Sequence, residues 1–141
     1  MFAFIKAFVA GLIAMLGCNQ GLLWLLDDAD IANTTTWSTH GLVGTGLPVV
    51  AALALWGALW GLVIWPLVRN AEAAGYYVGA IILGAVLVTG VSLAIAPWVG
   101  GALFGVALAG YTKDMIGVAL AANAAYGLGF AILMRLFHPP R

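Results

Sequence analysis

Charged residues are scarce in this sequence: they make up 7% of its 141 residues, whereas 65% of the residues are hydrophobic. A soluble domain carries about 25% charged residues. The few charges also cluster, and they leave four long uncharged runs at 7–26, 41–68, 73–112 and 115–134. Because roughly 20 apolar residues cross a bilayer as a helix, each run is long enough to span it. The composition excludes a soluble globule and predicts a polytopic membrane protein.

Basic residues are too few and too scattered to form a patch. Five basic residues balance five acidic ones, so the formal net charge is zero. Binding to nucleic acid needs a basic face, and an anionic-lipid patch needs about four to eight clustered Lys or Arg residues. We therefore predict no nucleic-acid partner. The lipid bilayer is the predicted surrounding, and a homo-oligomer or a larger membrane complex stays open.

The residues of common catalytic and metal sites are also missing. The single cysteine, Cys18, excludes an internal disulfide, a CxxC pair and a multi-thiolate metal site. His40 and His138 fall at opposite predicted membrane faces, too far apart to ligate one ion or one haem. No nucleophile–base pair lies within the predicted helices. We predict that the chain is not an enzyme, with no catalytic, metal-binding or cofactor-binding residues and no cofactor.

The hydrophobic runs predict an all-α integral membrane protein with one domain, 1–141. We expect four transmembrane helices in an antiparallel up-and-down bundle, at about 2–26, 42–68, 76–96 and 115–137. Pro97 is expected to end the third helix because it cannot continue the hydrogen-bond ladder. The Gly-rich stretch 98–111 is too short to span. It predicts a short interfacial or re-entrant segment on the outer side, with a loop or an extension of helix 4 as alternatives.

The basic residues also predict an orientation, since they favour the cytoplasmic side. With both termini inside, the inner face holds four of the five basic residues, namely Lys6, Arg69, Arg135 and Arg141. The outer face then holds only Lys113. We predict a multi-pass protein with cytoplasmic N- and C-termini. The stretch Met15-Leu16-Gly17-Cys18 resembles a lipoprotein cleavage box, but hydrophobicity continues through 21–26 and favours an uncleaved first helix.

Uncharged polar residues fall in the outer half of all four predicted helices. This outer polar layer consists of Asn19, Gln20, Thr45, Thr89, Ser92 and Asn123. An unsatisfied polar group in lipid costs several kcal/mol, so each is expected to find a partner. One interpretation is hydrogen bonding between helices. The other is a small cavity beneath an acidic rim of Asp27, Asp28, Asp30 and Asp114 that admits a cation or a small polar solute.

Small residues mark positions where helices can approach closely. Two GxxxG pairs and one stripe at every fourth residue are the candidate packing sites, namely Gly17 with Gly21, Gly57 with Gly61, and Gly117, Ala121, Ala125 and Gly129. Such surfaces let helix backbones come into contact in a bilayer. They favour either a tight monomeric bundle or a face for self-association or docking.

Several stretches together resemble a family of small, uncharacterised four-helix inner-membrane proteins of bacteria. They read KAFVAG at 6–11, QG at 20–21, LWGALWG at 55–61 and NAAYGLG at 123–129, with Arg135 following. The resemblance omits helix 3 and the outer loops. Relatives tend to carry histidine where this chain has Asn19, and tryptophan where it has Tyr126. The resemblance implies a bacterial inner (plasma) membrane location and a four-helix fold, and it implies no activity.

These observations favour a non-enzymatic accessory, assembly or structural component of the membrane. The evidence is the small-residue surfaces, the short loops and the missing chemistry. The alternative is an oligomeric channel or carrier for a small solute or cation that uses the outer polar layer. Proton-coupled carriers and ion pumps usually carry an ionisable residue deep in a helix, and none is predicted here.

Overall fold

The computed structural model describes residues 2–41, 46–99 and 113–137. Long helices dominate these residues, and the one backbone bridge among them joins Gly41 to Pro48. Helices 1 to 4 run, in chain order, over Phe2–Asp28, Val49–Val68, 73–99 and Lys113–Phe137. Each contains a segment long and apolar enough to cross a membrane. An all-helical protein with four such helices is therefore confirmed.

Helix 2 begins seven residues later than the predicted start at 42. Pro48 is its N-cap, with an extended backbone (φ −58°, ψ 139°), and Val49 is the first helical residue. A proline at the start of a helix costs little, because its missing N–H has no partner within the helix there. In the predicted first turns, 46–47 are not helical and 42–45 lie outside the described residues. Gly41, which precedes the predicted helix, lies in the bridge to Pro48.

Helix 3 extends past both of its predicted ends. It begins at Ala73 instead of 76, and it continues through Pro97 to Val99. Because Pro97 lies in the last turn, its missing N–H removes one hydrogen bond near the terminus and does not stop the helix. The predicted segment 98–111 is described only at its first two residues, which end helix 3, and the rest lies outside the described residues. Helix 4 begins at Lys113 instead of 115.

Helices 1 and 2 meet at glycines, at backbone-to-backbone distance. A methyl group on Gly61 would overlap the Ala7 carbonyl, and one on Gly57 would overlap the Met15 side chain. Gly11, which the sequence reasoning did not single out, faces the Gly57 carbonyl just as closely. The predicted pair Gly57 and Gly61 therefore lies at a helix contact.

The other predicted small residues behave differently. A methyl group on Gly17, Gly21 or Gly117 would have no neighbour within 4 Å in the described chain. Ala121 is exposed and Ala125 is half-buried. Gly129 does lie in a contact, against the Cys18 side chain. The motif alone did not identify the contacts, because GxxxG spacing defines a small surface on one helix and not the helix that covers it.

A second close approach joins helices 3 and 4. A methyl group on Gly84 would overlap the Asn123 carbonyl, and one on Gly127 would overlap the Ala80 carbonyl. Ala80 and Gly84 are four residues apart on helix 3 and form a small surface that the sequence analysis did not single out. This approach brings the backbone of helix 4 against a widened turn of helix 3.

Aromatic side chains fill the half of the bundle that holds Lys6 and Arg135, here called the basic end. Tyr126 and Phe130 are fully buried and stacked, with ring centroids 6.4 Å apart. The Tyr126 hydroxyl donates to the Gly57 carbonyl at 2.7 Å, which joins helix 4 to helix 2. The Tyr76 hydroxyl donates to the Ala131 carbonyl at 3.2 Å, and the Arg135 guanidinium lies 4.2 Å from the centre of the Tyr76 ring. Aromatic packing therefore closes this half.

Candidate functional site

Two π-helical turns lie at the polar residues of helices 1 and 3. One covers Met15–Asn19 and the other covers Leu83–Val88. The first ends in Asn19 and is followed by Gln20, and Thr89 follows the second. Such turns are rare, occur mostly as single bulges and are frequent at functional sites. Asn19, Gln20 and Thr89 are all at least 95% buried, so the widened turns direct adjacent polar residues inward.

Four polar side chains from helices 1, 3 and 4 form one continuous chain of hydrogen bonds. Gln20 Nε2 donates to Asn19 Oδ1 at 3.1 Å, and Asn19 Nδ2 donates to Asn123 Oδ1 at 2.9 Å. Asn123 Nδ2 then donates to Thr89 Oγ1 at 2.9 Å. Here we call Gln20, Asn19, Asn123 and Thr89 the polar chain. It joins three helices that the small-residue contacts already bring together.

The backbone fixes the direction of every bond in the polar chain. At one end the Trp37 backbone N–H donates to Gln20 Oε1 at 3.1 Å, and an N–H can only donate. At the other end the Thr89 hydroxyl donates to the Ala119 carbonyl at 3.4 Å, and a carbonyl can only accept. Each amide between them must then accept through its oxygen and donate through its nitrogen. The amide orientations of Gln20, Asn19 and Asn123 follow from these two ends.

The segment 29–41, which follows helix 1, folds back along that helix. The Thr34 backbone N–H donates to Asp27 Oδ1 at 2.9 Å, and the Thr34 hydroxyl donates to the Leu23 carbonyl at 3.2 Å. Further along, Trp37 Nε1 donates to the carbonyl of Leu16, inside the π-helical turn, at 2.9 Å. Leu16 lies about 18 Å from the end of helix 1, counting 1.5 Å per residue. Segment 29–41 is therefore part of the site.

Trp37 is the site residue that sequence reasoning missed. It holds two hydrogen bonds to helix 1, and its backbone has φ of +46°, which is unusual for a bulky side chain. In the sequence, an aromatic residue in a polar loop reads as a member of the interfacial belt. The available signal was Pro48, because a helix 2 that begins after this proline is shorter and leaves helix 1 uncovered where segment 29–41 lies.

A cavity of about 40 Å³ lies beside the polar chain, between all four helices. Asn19, Asn123, Thr89 and Ser92 supply its polar lining. The rest of the described lining is apolar and consists of Met15, Leu23, Leu53, Trp56, Leu93, Ala119 and Ala122. The cavity is therefore mostly apolar, with its hydrogen-bonding groups on one side.

The structure brings five of the six residues of the outer polar layer to this place. Asn19, Gln20, Thr89 and Asn123 bond to one another, and Ser92 lines the cavity without joining them. Thr45 lies outside the described residues. Of the predicted acidic rim, Asp27, Asp28 and Asp30 do not line the cavity, and Asp27 accepts a hydrogen bond from Thr34 instead; the side chain of Asp114 lies outside what the structure describes.

A metal site needs several ligating side chains close together, and a planar cofactor needs an open slot beside an aromatic ring. Within 2–41, 46–99 and 113–137, no three His, Cys, Asp or Glu side chains come together as a metal site. Trp56 and Trp60 meet edge to face with centroids 5.7 Å apart, and Trp60 is only 8% exposed. The two rings therefore pack against each other and do not form an open stacking slot.

No protein-family model, no curated protein and no solved structure matches this chain.

Proposed function

We propose that this chain is a non-enzymatic integral membrane protein that acts as an accessory, assembly or structural component. The observation that carries the proposal is the polar chain, whose side chains bond to one another across three helices. Groups committed in this way stabilise a bundle and are not poised as acids, bases or nucleophiles. The aromatic packing of Tyr126 and Phe130 supports the same role, because it closes the basic end.

The bundle is an antiparallel up-and-down arrangement in this proposal. The contacts support it: Ala7 approaches Gly61 while Met15 approaches Gly57, so residue numbers rise on one helix as they fall on the other. Lys6 Nζ donates to the Phe137 carbonyl, which pairs the start of helix 1 with the end of helix 4. Since basic residues favour the cytoplasmic side, the basic end faces the cytoplasm of a bacterial inner membrane.

A docking face on helix 1 is the element through which an accessory protein would act. Val9, Ile13 and Gly17 follow one another at every fourth residue, and all three are exposed. Apart from the adjacent residues of helix 1 itself, no described group would lie within 4 Å of a methyl group on Gly17. A partner helix or a second copy can therefore approach the backbone there without displacing any described residue.

The test is photo-crosslinking in the native membrane. A photo-crosslinking amino acid replaces Gly17 in one variant and Val86 in a matched control; Val86 is a 62% exposed residue on helix 3. We expect a discrete adduct, either with a second copy or with another membrane protein, from position 17 and not from position 86. The absence of an adduct at position 17, or equal labelling at both positions, would contradict the docking face.

An oligomeric channel or carrier for a small solute or cation is the second candidate; the 40 Å³ cavity favours the small solute, because no carboxylate lies among its described lining residues. The substitutions Asn19→Leu and Asn123→Leu separate the two proposals. In a carrier, solute flux into liposomes falls while the bundle stays folded. In an accessory protein the same substitutions weaken folding, and the wild-type liposomes show no flux above protein-free ones.

A further inference from the structure

The polar chain leaves donors uncommitted on the side of the cavity. Asn19 Nδ2 and Asn123 Nδ2 each carry two hydrogens, and each gives one to the next member of the chain. The described residues supply no acceptor for the second hydrogen. Both side chains line the cavity. Two amide hydrogens are therefore available to an acceptor placed in it.

Ser92 adds an independent observation on the same wall. Its side chain is 93% buried and lines the cavity, and its hydroxyl has no hydrogen-bond partner within the described parts of the chain. A polar group in a protein interior usually has a hydrogen-bond partner, so the Ser92 hydroxyl favours an acceptor placed in the cavity. The Ser92 hydroxyl can donate to the same acceptor as the two amides.

We propose that this cavity binds a small neutral molecule through one hydrogen-bond-accepting oxygen. A water needs about 10–15 Å³ of such volume, so 40 Å³ holds about three waters or a molecule of three to four non-hydrogen atoms. The apolar lining from Leu53, Leu93 and Ala122 suits a short hydrocarbon body. A carbonyl compound and a water cluster share the required chemistry. This inference goes beyond the accessory role and does not depend on it.

A cation fits the cavity poorly. No carboxylate lies among its described lining residues. The side-chain oxygens of Asn19, Asn123 and Thr89 each already accept a hydrogen bond from another member of the polar chain. Hard cations take about six or more oxygen ligands, usually with carboxylates among them. The uncommitted groups are donors, so the preferred ligand atom is a neutral oxygen.

The experiment uses the full chain in phospholipid nanodiscs and follows the side-chain amide signals of Asn19 and Asn123 by NMR. Acetone is the probe, because it has four non-hydrogen atoms and one carbonyl oxygen. Isobutene is its matched control, with the same shape and no oxygen. We expect acetone to move both amide signals saturably, and isobutene to move them at least fivefold more weakly, because one hydrogen bond contributes about that factor.

Two variants locate the site. Ser92→Ala removes the free hydroxyl and should weaken acetone binding about fivefold. Ser38→Ala, in segment 29–41, should leave it unchanged. Ala122→Leu fills the cavity and should abolish saturable binding. If Ala122→Leu does not fold, the comparison of Ser92→Ala with Ser38→Ala still shows whether acetone binds beside Ser92.

The outcomes distinguish the two sources of the oxygen. A saturable acetone response weakened by Ser92→Ala identifies a carbonyl-binding site. Cross-peaks between water and the Asn19 and Asn123 amides, without an acetone response, identify water as the acceptor. The inference is overturned if isobutene binds as tightly as acetone, or if neither acetone nor water contacts these amides.

Discussion

At the scale of single residues, position within the polar chain decides how much each side chain contributes. Asn123 is the only member on helix 4, and it accepts from Asn19 while it donates to Thr89. Its loss breaks two bonds and leaves a buried donor and a buried acceptor unpaired. Gln20 lies at the end of the polar chain, where its side-chain oxygen accepts from the Trp37 backbone N–H. Bonds that polarise one another in series make the middle position the most sensitive.

The first prediction concerns Asn123→Leu. We expect the free energy of unfolding to fall by about 1–3 kcal/mol, because two interhelical bonds are lost and their partners stay buried. Reversible unfolding in mixed micelles, followed by tryptophan fluorescence, measures the change. Asn33→Leu is the matched control, since Asn33 is exposed in segment 29–41. An equal fall in the free energy of unfolding of both variants would mean that the polar chain makes no specific contribution to stability.

The second prediction concerns Trp37→Phe. This change keeps the ring and the backbone bond to Gln20, but it removes the indole donor to the Leu16 carbonyl. We expect the free energy of unfolding to fall by about 1 kcal/mol, because the hydrogen bond to Leu16 is lost. Amide exchange in segment 29–41 should also become faster, because that bond helps to hold the positive φ of the backbone at position 37. Hydrogen exchange with mass spectrometry measures it. Trp24→Phe is the control, because Trp24 is similarly exposed (47% against 42%). Equal exchange in the two variants would refute this role.

At the scale of elements, the helices meet in two ways, through glycine contacts and through polar side chains. Glycine pairs bring backbones together where side chains are absent, as between Gly11 and Gly57 and between Gly84 and Gly127. The π-helical turns place polar residues where the helices meet, and segment 29–41 covers helix 1 where helix 2 is missing. Close approach depends on the absence of a Cβ atom, so a single methyl group is a sensitive probe of it.

The third prediction compares Gly61→Ala with Gly17→Ala. A methyl group on Gly61 would overlap the Ala7 carbonyl, so helices 1 and 2 must separate. We expect Gly61→Ala to destabilise the bundle by about 1–3 kcal/mol. Gly17→Ala meets no described neighbour within 4 Å, so it should be neutral or should stabilise the isolated chain by up to about 1 kcal/mol. Thermal unfolding in detergent measures both, and equal effects would refute the contact.

At the scale of the whole molecule, the two ends of the bundle differ in charge and in packing. Lys6 and Arg135 lie at the basic end. The Lys6 amine donates to the Phe137 carbonyl, and the Arg135 guanidinium lies over the Tyr76 ring. Asp27 and Asp28 end helix 1 at its opposite end, and Asp30 follows them. The asymmetry favours one orientation in the membrane.

The fourth prediction fixes that orientation with reporter fusions in bacterial cells. A fluorescent protein that folds only in the cytoplasm should fluoresce when it follows Arg141. A phosphatase that is active only outside should be active when it is inserted at Asn33, which is exposed in segment 29–41. Each reporter at the other position is the control. The reverse pattern would place the basic end outside.

The sequence by itself determined the helical membrane fold and the polar residues of the site. Uncharged runs of spanning length are read directly from composition, because a bilayer admits helices of that length and few charges. The grouping of Asn19, Gln20, Thr89 and Asn123 also followed from their matching depths. The length of an apolar run and the depth of a polar residue can both be read from a single helix.

Only the tertiary structure decided which surfaces meet. Gly11 and Gly84 lie at close contacts while Gly17 and Gly21 do not, since contact needs a complementary surface on another helix. Trp37 reached the site because helix 2 begins late, at Val49, and segment 29–41 folds back along helix 1. The π-helical turns and the free Ser92 hydroxyl likewise arise from packing among several helices. Local propensity does not encode such long-range pairings, so they appear only when the whole bundle is assembled.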